Sequence, residues 1–129
     1  MAGREPFQYA LVRVVPRVER GESLNAGVVL FCRPRRYLAA RTWLDEAALA
    51  VLSPGCDPAE VQPHLRVVEA VAAGDRDAGG AVAALPQSER FHWLTAPAST
   101  IVQPSPVHTG LTDDPAAQLD HLFATLVAR

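Results

Sequence analysis

The chain has 129 residues, 49% of them apolar and 20% charged, with a net charge of −2. That length suits one domain able to bury a core without metal or disulfide support. The acidic total and few aromatics argue against nucleic-acid binding, and no apolar run approaches the roughly 20 residues of a membrane span.

Residues 7–43 read as a three-strand antiparallel meander around which the rest is organised. Phe7-Gln8-Tyr9-Ala10-Leu11-Val12-Arg13-Val14-Val15, Asn25-Ala26-Gly27-Val28-Val29-Leu30-Phe31-Cys32 and Tyr37-Leu38-Ala39-Ala40-Arg41-Thr42-Trp43 are short runs rich in β-branched and aromatic residues. The first two are apolar on both faces, so each face needs cover from helices or a partner chain. Pro16 ends the first strand and Gly21 suits the reversal that follows. Gly27 inside the second strand points to a bulge or a close approach. Arg33-Pro34-Arg35-Arg36 is a tight basic turn.

A helical segment is expected over residues 45–73. Asp45 caps its first helix, with Leu44 placed to staple onto Leu49. Asp57-Pro58-Ala59-Glu60 opens the second, which Pro63 should kink or delay and Gly74 closes. Residues 75–90 read as an exposed, mobile connection. Residues 91–110 are expected to hold a fourth strand (Phe91 to Thr95), a fifth (Thr100 to Gln103) and a polar loop leaving the sheet at Pro104 and Pro106. The last helix, within residues 114–128, starts at Asp114-Pro115 and places Leu119, Leu122, Phe123 and Leu126 at i, i+3, i+4 and i+7. The predicted fold is α+β: one domain, about five antiparallel strands, three helices packed chiefly on one face.

Charge is unevenly placed. Residues 1–41 carry eight Arg against three Glu, residues 42–129 four Arg against eleven acids, and no Lys is present. A general bias toward Arg explains this; a basic surface that meets phosphate or carboxylate is the alternative. Residues 1–6 lack the apolar core of a signal peptide, so a cytoplasmic protein is expected. Cys32 and Cys56 have no metal-type spacing and read as reduced thiols. The four histidines form no local ligand pair and no glycine-rich phosphate loop occurs, so neither metal nor cofactor is expected.

Two polar clusters are hard to explain as core or ordinary turn. One is Arg20-Gly21-Glu22 with Asn25-Ala26-Gly27. The other runs from Ser99 to Gly110 and includes Gln103, Ser105, His108 and Thr109. Stiffened polar segments on a sheet are common places for sites. His108 is the candidate catalytic group, with Ser105 as nucleophile and Asp113 or Glu22 as orienting carboxylate; the alternative is a histidine whose ring fixes the loop by a hydrogen bond. Arg13, on an apolar strand face, calls for a carboxylate such as Glu22 or an acid of the C-terminal half, or else for a ligand.

Arg20-Gly21-Glu22, residues 25–31 and Gln103-Pro104-Ser105-Pro106-Val107-His108-Thr109-Gly110 resemble the family called domain of unknown function 3037, over about residues 7–127. The family has no established activity to lend. Its small bacterial members are often encoded beside a HipA-like kinase-type protein, so the resemblance implies a partner and no catalytic residue. Two functions are therefore expected in competition. One is an accessory interaction module, bound to such a kinase-type protein or self-associated. The other is a small hydrolase- or transferase-like enzyme using His108, with Arg20, Glu22 and Asn25 positioning substrate.

Overall fold

A computed structural model describes residues 3–128. Its centre is an antiparallel five-stranded open sheet, with strands β1 (Glu5–Val14), β2 (Leu24–Cys32), β3 (Tyr37–Thr42), β4 (Val102–Pro104) and β5 (His108–Thr112). β2 pairs with β1 and β3, forming the expected meander. The other edge of β1 is shared: β5 pairs with residues 5–9 and β4 with residues 12–14.

The register breaks where Gly27 lies. Val12 opposes Gly27, yet Arg13 opposes Asn25, leaving Ala26 as the extra residue of a bulge. The bulge turns Ala26 toward Val12, Val14 and Leu24 and directs Asn25 to the opposite face. Only glycine fits at position 27, because a Cβ there would lie 2.9 Å from both the Arg41 carbonyl oxygen and Thr42 Cγ2.

Both faces of β1 and β2 are covered. Helices α1 (Glu46–Leu52), α2 (Pro58–Ala73) and α4 (Gln87–Thr95) pack on one. There Leu49, Val61 and Leu65 meet Val12, Val14 and Leu24, while Val71, Phe91 and Leu94 meet Ala10, Val29 and Phe31. Helix α5 (Pro115–Leu126) alone lies on the other, over Val28, Leu30 and Cys32. Arg41 fastens α5 to β3, pairing with Asp120 at 2.6 Å and lying 4.3 Å over the Phe123 ring. The caps at Asp45, Asp57 and Asp114 each accept from a backbone N–H of the first helical turn, which is why these boundaries are readable. Pro63 fits inside α2 because the donor it removes would only have served Ala59, in the exposed first turn.

Three expectations need correction. Phe91 to Thr95 belongs to helix α4, not to a strand: a short apolar run carries no decisive period, and Phe91 and Leu94 point together toward α2 at helical spacing. Residues 75–90 are not an irregular connection. They form α3 (Arg76–Gly79), capped by Asp75, a 3-10 turn (Ala81–Ala84) and the start of α4, giving five helices instead of three. The strand expected over Thr100 to Gln103 is shifted to Val102–Pro104, and β5 occupies what reads as polar loop.

Arg90 holds the helical layer together. It is buried, and its guanidinium donates to the carbonyls of Leu85, Val71 and Ala72 at 2.9, 3.0 and 2.9 Å. The last two belong to the final turn of α2, so a cation joins the Gly74 N–H in satisfying carbonyls at the negative end of the helix dipole. Replacing Gly27 by Val should lower stability by about 1–3 kcal/mol, because strand backbone rather than a flexible side chain must move. Urea denaturation measures this, and an unchanged midpoint would contradict the packing described.

Candidate functional site

The second polar cluster lies along the sheet edge that β4 and β5 provide to β1. Ser105 sits between the two short strands, with prolines on both sides. Its backbone N–H donates to the Leu11 carbonyl at 2.8 Å, and its Oγ accepts the Leu11 N–H at 2.8 Å. The hydroxyl donates in turn to the Pro106 carbonyl at 2.8 Å. A serine here performs, through one residue, the pairing that the flanking prolines cannot offer with an N–H. Pro104 thus remains in the sheet, within β4, where the sequence reading expects the chain to leave it.

This geometry removes Ser105 as a nucleophile, since it is buried and its oxygen is engaged twice. His108 is exposed on β5, with its ring 5.2 Å from that of Tyr9 across the strand pair. Among the described residues its side chain makes no hydrogen bond, so ring contact rather than a polar bond positions it. Thr109 is exposed opposite Gln8. Gln103 opposes Arg13 and donates back to the Thr100 carbonyl at 2.9 Å.

The first cluster is divided as well. Arg20 and Glu22 form a two-bond pair with each other, at 2.5 and 3.1 Å, on the exposed connection after β1. The hydrogen bond from Arg20 holds the Glu22 carboxyl below its ordinary range, and both carboxylate oxygens are engaged by that one guanidinium. Asn25 donates to the Leu126 carbonyl at 3.2 Å and so caps the end of α5. Asn25, Arg13 and Gln103 therefore form one row across β2, β1 and β4. His108 belongs to a row four residues further along β1, roughly 13 Å away at 3.3 Å per residue. The ion pair expected for Arg13 is not formed: among the described residues this half-buried guanidinium has no carboxylate partner, because its cross-strand neighbours are two amides.

What the sequence reading missed lies where β4 meets the helical layer. A groove of about 390 Å³ is walled by His64, Val67 and Val68 of α2, Trp93 and Leu94 of α4, and Val102 to Pro104 of β4. Its walls are mostly apolar, and Trp93 is 47% exposed on its rim. Trp93 falls off the Phe91–Leu94 stripe of α4, a signal that becomes visible only once that run is recognised as helical. A second hollow of about 270 Å³ lies beside Arg20, Glu22 and Ser53 and is more polar.

Among the described residues no three His, Cys, Asp or Glu side chains are grouped to hold a metal ion. Burial, with Glu60 and Asp57 nearby, pushes the Cys56 thiol up, away from the thiolate a nucleophile needs. No described helix is long and apolar enough to cross a membrane.

The model of a family of proteins of unknown function, DUF3037, matches residues 9–127. The chain belongs to the DUF3037 family. Searches of curated proteins and of solved structures gave no match. The matched span of this DUF3037 chain takes in the β1–β2 bulge, the Ser105 junction, the groove and α5.

In this DUF3037 protein, Ser105→Ala should cost about 1–3 kcal/mol, because the Leu11 N–H loses its acceptor within the sheet. Chemical denaturation of the purified variant tests it. A wild-type midpoint would mean that Leu11 finds water instead.

Proposed function

We propose that this DUF3037 protein is an interaction module that receives an extended, apolar segment of a partner protein along the β4–β5 edge. The observation that carries the reading is the state of β5. The bonds from Ser105 to Leu11 and from Val15 to Ile101 show that odd-numbered residues of β1 direct their backbone groups toward this edge. By strand alternation His108, Gly110 and Thr112 face β1, while Thr109 and Leu111 present N–H and C=O groups outward. Residues 107–112 carry no charge and no proline, the usual guards of an edge. Leu111 is 57% exposed.

The upper half of the same edge differs. Pro104 and Pro106 lack donors, so a partner strand gains little backbone pairing there. Instead the groove beneath Trp93 offers apolar surface. From Gln103 to Thr109 the edge runs alongside six residues of β1, Gln8 to Arg13, roughly 17 Å. A partner segment of that reach can pair with β5 and lay one large apolar side chain into the groove, which is strand addition with a specificity pocket. Of possible partners we propose the HipA-like kinase-type protein implied by the family resemblance.

Catalysis through His108 gains no support from this arrangement. Glu22, Asn25 and Ser105 are each committed to a bond elsewhere in the fold, and they do not share a cleft with His108.

Leu111→Lys and Trp93→Ala are both surface changes, so melting temperatures should stay within a few degrees of wild type. Binding to the purified kinase-type protein, followed calorimetrically, should fall at least tenfold in each. Absence of association by the wild-type chain at tens of micromolar, or wild-type affinity in both variants, would refute the reading. A homodimer broken by Leu111→Lys, with no partner bound, would replace it with self-pairing.

A further inference from the structure

The turn between β2 and β3 gathers positive charge at the end of α4 farthest from the groove. Arg33, Arg35 and Arg36 occupy four consecutive positions with Pro34, and Arg35 reaches the Gly3 carbonyl at 3.1 Å, next to Arg4. None of these four cations pairs with a carboxylate among the described residues. Arg33 lies 5.3 Å over the Phe31 ring. The Arg36 carbonyl accepts from Gln87 Nε2 at 2.8 Å, which ties the turn to α4. Between them is an open depression of about 390 Å³, lined by Phe31, Arg33, Arg36, Gln87 and Ser88. The nearest acids in sequence are Glu89, exposed one residue beyond Ser88, and Glu5, half-buried beside Arg4.

Two features of this corner work against folding stability. Arg36 has φ 51, the only positive value at a non-glycine among the described residues, in a position that glycine or asparagine fills with least strain. Arg33, Arg35 and Arg36 also crowd one turn with no carboxylate bonded to any of them among the described residues, and like charges repel. An outlier of backbone conformation combined with unpaired charge is a reason to look for a ligand.

We infer that this corner binds a phosphate monoester. Arg33 and Arg36 supply forked donors to its oxygens, and the Ser88 hydroxyl and Gln87 amide complete the rim. The ester can be a free metabolite or a phosphorylated side chain, since both present the same dianion. The site is separate from the groove and stands whether or not the β4–β5 edge binds a partner: Gln87 and Ser88 lie six positions before Trp93 and Leu94, roughly 9 Å along α4.

The test is a backbone NMR titration of the full chain with phosphoserine, inorganic phosphate and a phosphoserine peptide, at constant ionic strength balanced with chloride. Saturable shifts are expected at residues 33–37 and 87–89. Arg36→Gly should weaken binding at least tenfold while raising the melting temperature by about 1–3 °C, since strain and repulsion are both relieved. Arg66→Gln, at an exposed site on α2, should bind as wild type. Tighter binding of the peptide assigns the site to a phosphorylated side chain, and equal binding assigns it to a free ester. The inference is overturned by an unsaturable response to all three probes or by wild-type binding in Arg36→Gly.

Discussion

The exchange between Ser105 and Leu11 is the contact on which the sheet's outer edge depends. β1 is ten residues long and needs a partner on each side, yet the segment available to it contains Pro104 and Pro106. Without a donor between them the ladder would break between Tyr9 and Val12 and leave the Leu11 backbone groups of a core strand without partners on this side. One serine resolves this by bonding Leu11 with its backbone and its hydroxyl together, so that two short strands serve as one. The junction lets β4 frame a groove against α2 and α4 while β5 continues as an open edge. One serine, through its backbone N–H and its hydroxyl, thereby shapes this edge of the sheet.

The arginines show a division of labour that their number alone does not reveal. Arg90 is structural: it is buried and its donors are used on carbonyls, where a lysine's point charge would serve fewer. Arg41 is fastened between an aspartate and an aromatic ring, which sets how α5 lies on the sheet. Arg20 is neutralised by the glutamate two residues on. Among the described residues, the cations left without a carboxylate partner include Arg13 on the sheet face, Arg66 and Arg76 on the helical layer, and the group around residues 33–36. The uneven charge of the sequence therefore resolves into a structural set and a surface set.

Much of the fold was legible because its signals were local. Asp45, Asp57 and Asp114 each announce a helix within four residues, and Gly27 announces a bulge because nothing larger fits against Arg41 and Thr42. The meander was legible from apolar runs and turns. What could not be read depends on partners distant in sequence. Phe91 to Thr95 has the composition of a strand, and only the surface of α2 selects its helical period. His108 to Thr112 looks polar and is broken by a glycine, and it becomes a strand because β1 has an unfilled edge and Gly110 lies under the Phe7 ring, where a Cβ would come within 2.7 Å. The candidate site divided similarly. Gln103, His108 and Thr109 lie along the β4–β5 edge, Asn25 and Ser105 are bonded into the frame, and Arg20 and Glu22 pair with each other on an exposed connection.

The central claim is that β1's outer edge is closed at Leu11 and open along β5. Amide hydrogen exchange on the isolated chain tests it residue by residue. The Leu11 N–H, bonded to Ser105, should exchange as slowly as the core of β2, while the outward Thr109 and Leu111 amides should exchange at nearly the rate of an unstructured chain. Rapid exchange at Leu11 together with protection at Thr109 and Leu111 would contradict the account and reverse which backbone groups face outward.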